Sequence, residues 1–570
     1  MHKTCTQCSA GFTITDEDLA FYDAVSPVIA GTKYLIPPPT LCPDCRYQNR
    51  LTWRNERNLY RNICKATGKA VVSIFSPEKT WPPVYEQKYW WSDAWDAKSY
   101  GRDMDFTRPF FEQWAELFQV VPQLAMNNQA SENCEYTNQS EKNKDCYMMF
   151  CSNDSRDCLH GMWVAHGLNC VDCLYVERGE LCYEAMNCSH SYHCAFSQNL
   201  ENCSDVFFSR NCIGCKHCFG CVNLRNKEYF FFNEQLSKEE YEERIREMPL
   251  SSHATIQHSL KLFSEFSKDF PRKYYSGANN EDATGDYLLH DHDVHHSFNC
   301  RNSEHLCNCQ DAWWGRNCRD LTETAENDFS YSLEGAGQSS NALFSKKFID
   351  SSNILYCSHC NFSKNLFGCV GLNHAQFCIL NKQYTKDEYE ELVPKIIEHM
   401  KQTPLRSLNG SFAGHEWGSH FPSELSPYGY NETVAQEYFP LTREEALAKG
   451  YGWREAKDET PQVERILPAS QLPDSIADIP DDILNWAIEC EATKRPFRII
   501  KQELEFYRSQ GIAIPHLHPD ERHRRRMALR NPRKLWLRQC QKCGTDMQTT
   551  YSPDRLEMVY CESCYLESVY

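Results

Sequence analysis

The fold of this chain is decided by a cysteine-rich stretch whose last part, residues 194–221, reads CAFSQNLENCSDVFFSRNCIGCKHCFGC. Cysteines occur every twelve residues from Cys146 to Cys194 and every nine residues from there to Cys221. Asn or Asp precedes many of them. Asn and Asp tolerate turn conformations, whereas a reduced cysteine packs like a small hydrophobe. The pattern therefore predicts a short parallel β-solenoid with stacked interior cysteines and coils of about 18–24 residues.

The same unit occurs a second time further along the chain. The sequence FGCV at residues 219–222 returns 148 residues later at residues 367–370. Each copy is followed by a Ser or Thr that stands three residues before a Glu, at 237–240 and 385–388. This spacing is that of a capping box, in which the side chains bond the free backbone groups at the start of a helix. Each copy is therefore predicted to end in a helix.

Each copy also begins with a helix, according to the spacing of its apolar residues. Large apolar side chains recur at helical spacing over residues 110–121 before the first copy and over residues 260–270 before the second. The chain thus contains two tandem modules of helix, cysteine-rich β-solenoid and helix. They are expected at residues 103–250 and 254–402.

The composition describes a folded protein with reduced thiols. Of the 570 residues, 41% are hydrophobic and 13% are aromatic, and no apolar run is long enough to span a membrane. Thirty-two cysteines without an apolar export signal argue for metal ligands and buried thiols instead of disulfides, so we expect a cytoplasmic protein. The net charge of −18 excludes a surface that is basic throughout but leaves room for a local basic patch.

Two CxxC motifs at the start of the chain contribute Cys5, Cys8, Cys42 and Cys45. Four thiolates from two such motifs make a closed tetrahedral site for Zn²⁺. Around them lie Phe12, the pair FY at 21–22, the prolines at 37–39 and the sequence CPDCR at 42–46. In these features residues 1–50 resemble the probable zinc-ribbon domain found in many uncharacterised bacterial proteins. The resemblance implies a zinc-ribbon fold and brings no established activity with it.

The end of the chain repeats its beginning when it is shifted by 485 or 476 residues. The rear copy keeps two CxxC motifs of its own, whose ligands are Cys540, Cys543, Cys561 and Cys564. One half of each copy has lost two or more ligands, and Cys64 in front and Cys490 with His518 behind are what remains. We therefore expect two Zn²⁺ ions per chain, one at each end.

These patterns predict a mixed α+β chain in five segments. Two β-solenoid modules are bracketed by zinc-ribbon or treble-clef-like pairs at 1–95 and 481–570. A docked linker rich in Gly, Ser, Pro and aromatic residues occupies 403–480. A capping box at 442–445 predicts a short helix in this linker, and residues 481–490 are predicted to form another helix.

Eight arginines recur at near-helical spacing in the two end copies, namely Arg46, Arg50, Arg54, Arg57, Arg522, Arg526, Arg530 and Arg533. With Arg61, the front set would lie on one face of a helix. Guanidinium groups at this spacing can follow phosphates, and nearby Trp53, Tyr60 and Trp536 could stack on bases, which predicts RNA or DNA binding. The alternative, favoured by the acidic net charge, is that the arginines pair with carboxylates and hold the domains together.

Three further groups of residues are candidate functional sites. The cysteines at 212, 215, 218 and 221 have iron–sulfur-like spacing, but position 218 corresponds to Leu366 in the second module, which favours a core of stacked thiols. The run HDHDVHH at residues 290–296 would divide its side chains between two faces of a strand and form no single ligand set. His415, Glu416 and His420 form a looser group.

Three classes of function fit these observations. The first is a non-enzymatic zinc scaffold that binds a macromolecule, with RNA or DNA at the arginine helices as the leading hypothesis. The second is protein–protein assembly or self-association. The third is a β-solenoid enzyme acting on a carbohydrate. The sequence has no phosphate-binding glycine loop, nucleophile elbow or HExxH motif, so no catalytic residue is assigned.

Overall fold

The computed structural model describes residues 1–79, 81–403, 416–455 and 461–570, so that His415 lies outside the described residues. The chain is a mixed α and β protein with parallel sheets in its centre and a group of four cysteines at each end. All 32 cysteines lie in the described part and are free thiols.

A parallel array of strands occupies residues 128–231, the first array. Each segment of it pairs with the segment twelve residues later, as Met162 does with Leu174 and Ser204 with Lys216. The step is therefore twelve residues, shorter than the predicted 18–24. The elements of the front segment, before this array, are β1 (His2–Thr4), β2 (Gly11–Thr13), α1 (Asp16–Val25), β3 (Val28–Ile29), β4 (Thr32–Lys33), α2 (Pro43–Leu51), β5 (Tyr60–Ile63), β6 (Ala70–Ser73), β7 (Val84–Tyr85), α3 (Gln87–Trp90) and a 3-10 turn at Ala97–Tyr100. The array itself, with the helices before and after it, consists of α4 (Phe110–Val120), β8 (Gln123–Leu124), β9 (Asn128–Gln129), β10 (Ser140–Glu141), β11 (Met162–Ala165), β12 (Leu174–Glu177), β13 (Tyr192–Ala195), β14 (Ser204–Phe207), β15 (Lys216–Phe219), β16 (Glu228–Phe231), β17 (Glu234–Gln235) and α5 (Lys238–Arg246).

A three-residue backbone repeat explains the twelve-residue step. Residues with positive φ recur every third position through the array, for example Asn199 at 53°, Asn202 at 51° and Asp205 at 54°. Asn and Asp adopt this left-handed conformation more readily than other non-glycine residues, which accounts for their frequency before the cysteines. The residue after most of these left-handed positions is buried, and Cys203 and Val206 are both at most 2% exposed. Four repeats of three residues therefore make one twelve-residue step.

Small side chains with weak donors fill the interior of the first array. Ser209 Oγ donates to the Phe207 carbonyl (2.8 Å) and accepts from the Cys221 N–H one step later (3.0 Å). The Cys203 Sγ–H likewise donates to the Cys212 carbonyl (3.3 Å). A thiol or hydroxyl thus occupies little volume and also bonds the backbone nine or twelve residues further along the chain.

Cys218→Val is expected to lower the free energy of unfolding by less than about 1.5 kcal/mol, because it nearly conserves volume at a fully buried position. Val206 fills the paired position one step earlier. Urea unfolding and metal analysis of the variant check this. Cys218→Asp, which buries an unpaired carboxylate, is the disruptive control. Loss of a bound metal ion in the valine variant would contradict a packing role for this thiol.

The second array, residues 277–379, repeats the construction with one irregularity. Its strands also pair in parallel twelve residues apart, as Ser352 does with Lys364. At its start the offset is eleven, Glu281 facing His292, and it becomes twelve at Gly285, which faces Ser297. Gly285 has φ +155° and a Cβ there would collide with the Ser297 carbonyl, so this change of register requires glycine. The elements of this part are α6 (His253–Phe266), a 3-10 turn (Ser267–Asp269), β18 (Arg272–Lys273), β19 (Gly277–Ala278), β20 (Glu281–Asp286), β21 (Leu288–Leu289), β22 (His292–Phe298), β23 (Glu304–Cys307), β24 (Gln310–Trp313), β25 (Arg316–Leu343), β26 (Lys346–Leu355), β27 (Lys364–Phe367), β28 (Gln376–Ile379), β29 (Lys382–Gln383) and α7 (Lys386–Gln402).

The predicted flanking helices are present, with one shortened. Both capping boxes form, since Glu240 N–H donates to Ser237 Oγ and Glu388 N–H donates to Thr385 Oγ1. The apolar face of α4 is fully buried, as predicted. The helix α6 ends at Phe266, so Phe270 lies beyond it, contrary to the prediction.

The rear segment differs from its prediction at residues 481–490. A 3-10 turn ends at Asn485, and residues 486–489 form strand β31 instead of continuing a helix, because they pair with residues 465–468 and 496–497. The helix after the capping box at 442–445 forms as predicted. The elements here are α8 (Ala435–Tyr438), α9 (Arg443–Ala448), β30 (Arg465–Pro468), β31 (Trp486–Glu489), β32 (Pro496–Phe497), α10 (Lys501–Gln510), α11 (Pro519–Ala528), β33 (Trp536–Gln539), β34 (Asp546–Thr549), β35 (Val559–Tyr560) and α12 (Glu562–Val569), with 3-10 turns at Ser423–Leu425, Tyr430–Glu432, Ala469–Gln471, Ile476–Asp478 and Asp481–Asn485.

Candidate metal centres and the arginine cleft

The four predicted ligands at the front converge on one point. Cys5 follows strand β1, and Cys42 and Cys45 lie at the start of helix α2, where free backbone N–H groups favour negative charge. All four sulfur atoms lie within 4.8 Å of one another in the group formed by Cys5, Cys8, Cys42 and Cys45. The sulfurs of Cys8 and Cys42 are 3.7 Å apart. Thiolates bound tetrahedrally to zinc at 2.3 Å stand about 3.8 Å apart. The front group could therefore hold a metal ion.

The rear group has the same geometry. The sulfurs of Cys540, Cys543, Cys561 and Cys564 also lie within 4.8 Å of one another, with 3.7 Å between Cys543 and Cys561. Burial raises the pKa of Cys540, but backbone N–H groups of Cys561 and Cys543 outweigh this effect and bring the pKa to about 6. The Cys561 N–H lies 3.2 Å from the Cys540 sulfur. The backbone thus favours the thiolate that a metal ion needs.

The cysteines that remain in the two halves predicted to be degenerate, Cys64 and Cys490, are both fully buried. The Glu86 N–H donates to the Cys64 sulfur at 3.3 Å, just as Cys561 does to Cys540 in the rear group. His518 accepts from the Asp520 N–H (3.1 Å) and so caps helix α11. Neither Cys64 nor Cys490 belongs to a group of three or more ligand atoms within the described ranges.

The cysteines of the arrays are placed differently. Burial raises the pKa of Cys188 to about 12, as expected for a neutral packed thiol. Of the array cysteines in the described part of the chain, Cys151 alone falls in a potential ligand group, beside Glu56 and Glu323. The thiols at 212, 215, 218 and 221 are all fully buried and form no such group there.

Most of the predicted arginines are buried or nearly so, Arg530 is partly exposed, and the eight do not lie along one helix. Helix α2 ends at Leu51 and helix α11 at Ala528, so half of the eight follow these helices instead of belonging to them. Arg61 lies in strand β5. The prediction of one continuous helical face is therefore wrong, because each helix stops after nine or ten residues.

The front arginines bind carboxylates of the second array. Arg46 Nε donates to Asp320 (2.7 Å), and Arg54 Nη1 donates to Glu334 (3.0 Å). Arg50, which is fully buried, donates to Thr322 (3.2 Å). These contacts attach the front segment to strand β25.

The rear arginines bind both arrays. Arg522 and Arg526 share the buried carboxylate of Asp172 in the first array, and Arg533 donates to Asp311 in the second (2.6 and 2.7 Å). Burial alone would raise the pKa of Glu503, but His160 and Arg522 outweigh it and lower this pKa to about 2. These ion pairs favour the interpretation in which the arginines hold segments together. Nucleic-acid binding by them stays a prediction.

A cleft of about 1,140 Å³ lies between the two ends of the chain and is called here the arginine cleft. Its walls come from helices α2, α8 and α11 and from residues 286–299 of the second array. Five cations line it, namely Arg57, Arg524, Arg530, Arg533 and Lys534. Aromatic rings of the cleft lining stand next to three of them: Tyr287 by Arg530 (5.5 Å), Tyr438 by Arg533 (4.4 Å) and Trp536 by Lys534 (5.5 Å).

The weakest predicted group is separated by the structure. The carboxylate of Glu416 accepts from the N–H groups of Phe110 and Phe111 (2.9 and 3.1 Å) and caps helix α4. His420 instead lies beside Ser332 (3.3 Å). These two residues have structural roles.

Sequence reasoning missed the carboxylate partners and most of the cleft. Asp172, Asp311 and Asp320 carry no local pattern that marks them as arginine partners. The three-residue repeat is the signal that locates them in the arrays. All three aspartates have positive φ and stand directly before a buried residue.

Comparison of the chain with protein-family models, with curated proteins and with solved structures found no match. Across the described ranges, every helix is too short or too polar to cross a bilayer.

Proposed function

We propose that this protein is a zinc-stabilised interaction scaffold that binds single-stranded nucleic acid in the arginine cleft. In this proposal both arrays are β-solenoids, with four sides of three residues in each coil. The twelve-residue pairing step and the left-handed residue at every third position support this architecture. Solenoids offer rigid, extended surfaces on which other segments can dock.

The ends of the chain are proposed to be zinc ribbons. Two groups of four thiols at tetrahedral spacing support zinc, which prefers four sulfur ligands in closed structural sites. The front group also carries the zinc-ribbon resemblance of residues 1–50. Four thiolate ligands leave no coordination position of the metal open for water or substrate, so its role in this proposal is structural.

The observation that carries the nucleic-acid proposal is the charge of the arginine cleft. Among the described residues, Arg530 and Lys534 form no ion pair, and each stands beside an aromatic ring. Arg57 Nη1 is buried and has no hydrogen-bond partner among the described residues, whereas Arg57 Nη2 donates to Asp520 Oδ1 (3.4 Å). Phosphates satisfy such cations, and bases stack on exposed faces of aromatic rings.

The test is the binding of a labelled single-stranded oligonucleotide, followed by fluorescence anisotropy at several salt concentrations. Arg530→Ala with Lys534→Ala is expected to weaken binding at least tenfold. The slope of log affinity against log salt should fall by about 1.4, since each contact to a single strand contributes about 0.7. Trp536→Ala should weaken binding without changing this slope.

The matched control is Lys216→Ala with Lys364→Ala, which removes two exposed charges from the arrays. This variant should bind like the unmodified protein. An equal loss in both double variants, or the absence of salt-dependent binding by the unmodified protein, would overturn the proposal.

Protein–protein assembly is the second candidate, supported by the ion pairs that hold arginines of both ends against the arrays. If this candidate is right, the cleft variants change the association state of the protein, and neither the unmodified protein nor any variant binds the oligonucleotide. The carbohydrate-enzyme hypothesis has less support, because three of the four acids that line the cleft already have polar partners. Glu437 lies against His523 (3.3 Å), and Asp286 accepts from Thr550 (2.8 Å).

A further inference from the structure

The irregular start of the second array brings together three potential metal ligands outside the cysteine sites. Strands β20 and β22 pair with an eleven-residue offset here, Glu281 facing His292 and Ala283 facing Val294. Asp282 therefore stands opposite Asp293. The run at 290–296 does not divide between two faces as predicted from strand alternation, because the backbone follows a three-residue repeat.

The ligand atoms of Asp282, Asp293 and His295 lie within 4.8 Å of one another. His295 Nε2 is 2.9 Å from Asp293 Oδ1 and 3.9 Å from Asp282 Oδ2. Nitrogen and oxygen ligands at about 2.0–2.2 Å from a tetrahedral ion stand roughly 3.4 Å apart. The observed separations lie on either side of that value.

A fourth residue holds Asp293 in place. The His305 Nδ1 atom, one step further along the array, lies 2.6 Å from Asp293 Oδ2. This contact leaves Oδ1 directed at His295. Metal-binding carboxylates are commonly fixed by such a hydrogen bond on their second oxygen. His305 is therefore a positioning residue.

Other His–Asp pairs in the protein show which feature distinguishes the group at Asp282, Asp293 and His295. His166 bonds Asp154 (2.9 Å) and His193 bonds Asp205 (2.7 Å), in both cases between residues twelve apart in the first array. Neither pair belongs to a three-ligand group among the described residues. A His–Asp ladder is thus an ordinary feature of the arrays. The second carboxylate, Asp282, is what the eleven-residue offset adds.

We propose that Asp282, Asp293 and His295 form a third metal site, which binds a divalent transition-metal ion through one nitrogen and two carboxylate oxygens. Imidazole with carboxylates suits Zn²⁺, Co²⁺ or Ni²⁺. Asp282 is 75% exposed and His295 31% exposed, so solvent reaches the ion and completes its coordination. The site is open and exchangeable, whereas the two cysteine sites are closed.

The experiment is a titration of the full-length, zinc-containing protein with Co²⁺, followed by absorption spectroscopy and equilibrium dialysis. One additional equivalent of Co²⁺ is expected to bind without release of zinc. Its spectrum should lack the intense near-ultraviolet charge-transfer band of a cobalt–thiolate site, which distinguishes it from exchange into a cysteine site.

Asp282→Asn and His295→Ala are each expected to weaken Co²⁺ binding at least tenfold. Asp282 is exposed, so its substitution should leave the unfolding transition unchanged and keep the test valid even if His295→Ala unfolds the array. His193→Ala removes an ordinary ladder histidine and should bind Co²⁺ as the unmodified protein does. Binding of no extra equivalent, or an equal loss in His193→Ala, would overturn the proposal.

Discussion

Cys45→Ser is expected to reduce the zinc content from two ions per chain to one and to destabilise the front segment severely. Cys45 is buried in the first turn of helix α2, which carries Arg46 and Arg50 into their contacts with the second array. Structural zinc contributes about 10–16 kcal/mol to the folding of isolated zinc-finger peptides. Loss of the front ion should therefore free helix α2 and lower the melting temperature.

Metal analysis after gel filtration and differential scanning calorimetry measure these two effects. Cys64→Ser is the matched control, because Cys64 is fully buried in the degenerate half of the same segment. This control should keep both zinc ions. A Cys45→Ser protein that still holds two ions, or an unmodified protein purified without zinc, would refute the assignment.

Arg54→Met is expected to lower the free energy of unfolding by about 3–5 kcal/mol, because breaking a buried ion pair strands its partner charge. The Arg54 guanidinium is 1% exposed and bonds Glu334, which is fully buried, and Glu56, which is 2% exposed. Removing the cation leaves both carboxylates without their main partner. Urea unfolding, followed by circular dichroism, measures the change.

Two further variants separate this effect from a loss of packing. Arg525→Met removes an exposed arginine that pairs with Glu521, and its effect should stay within about 1 kcal/mol. Adding Glu334→Gln to Arg54→Met should restore part of the lost stability, because one stranded charge is then gone. A loss below about 1 kcal/mol in Arg54→Met would show that the pair is not a structural clamp.

Features of the fold that depend on local spacing could be read from the sequence. The pairs Ser237–Glu240 and Thr385–Glu388 start helices as predicted, since a capping box acts over three residues. The four cysteines of each end come together because two CxxC motifs each fix two ligands. The spacing of twelve between cysteines equals the observed step, whereas the prediction treats such a spacing as half a coil.

Features that depend on distant contacts could not be read in this way. The arginine spacing at 46, 50, 54 and 57 continues past the end of helix α2, and nothing local marks that end. Strand β31 forms at residues 486–489 because residues 465–468 lie beside it. Asp282 joins Asp293 only because the register changes at Gly285.

The ion pairs between the front arginines and the second array bear on the order in which the protein folds during its synthesis. Arg46 bonds Asp320, and the two are 274 residues apart. At typical translation rates of about 5–20 residues per second, Arg46 leaves the ribosome on the order of ten seconds to a minute before its partner. The nascent amino-terminal segment must keep its guanidinium groups hydrated through that interval. Its docking is consequently a late event, which cannot begin until the chain around Asp320 has emerged.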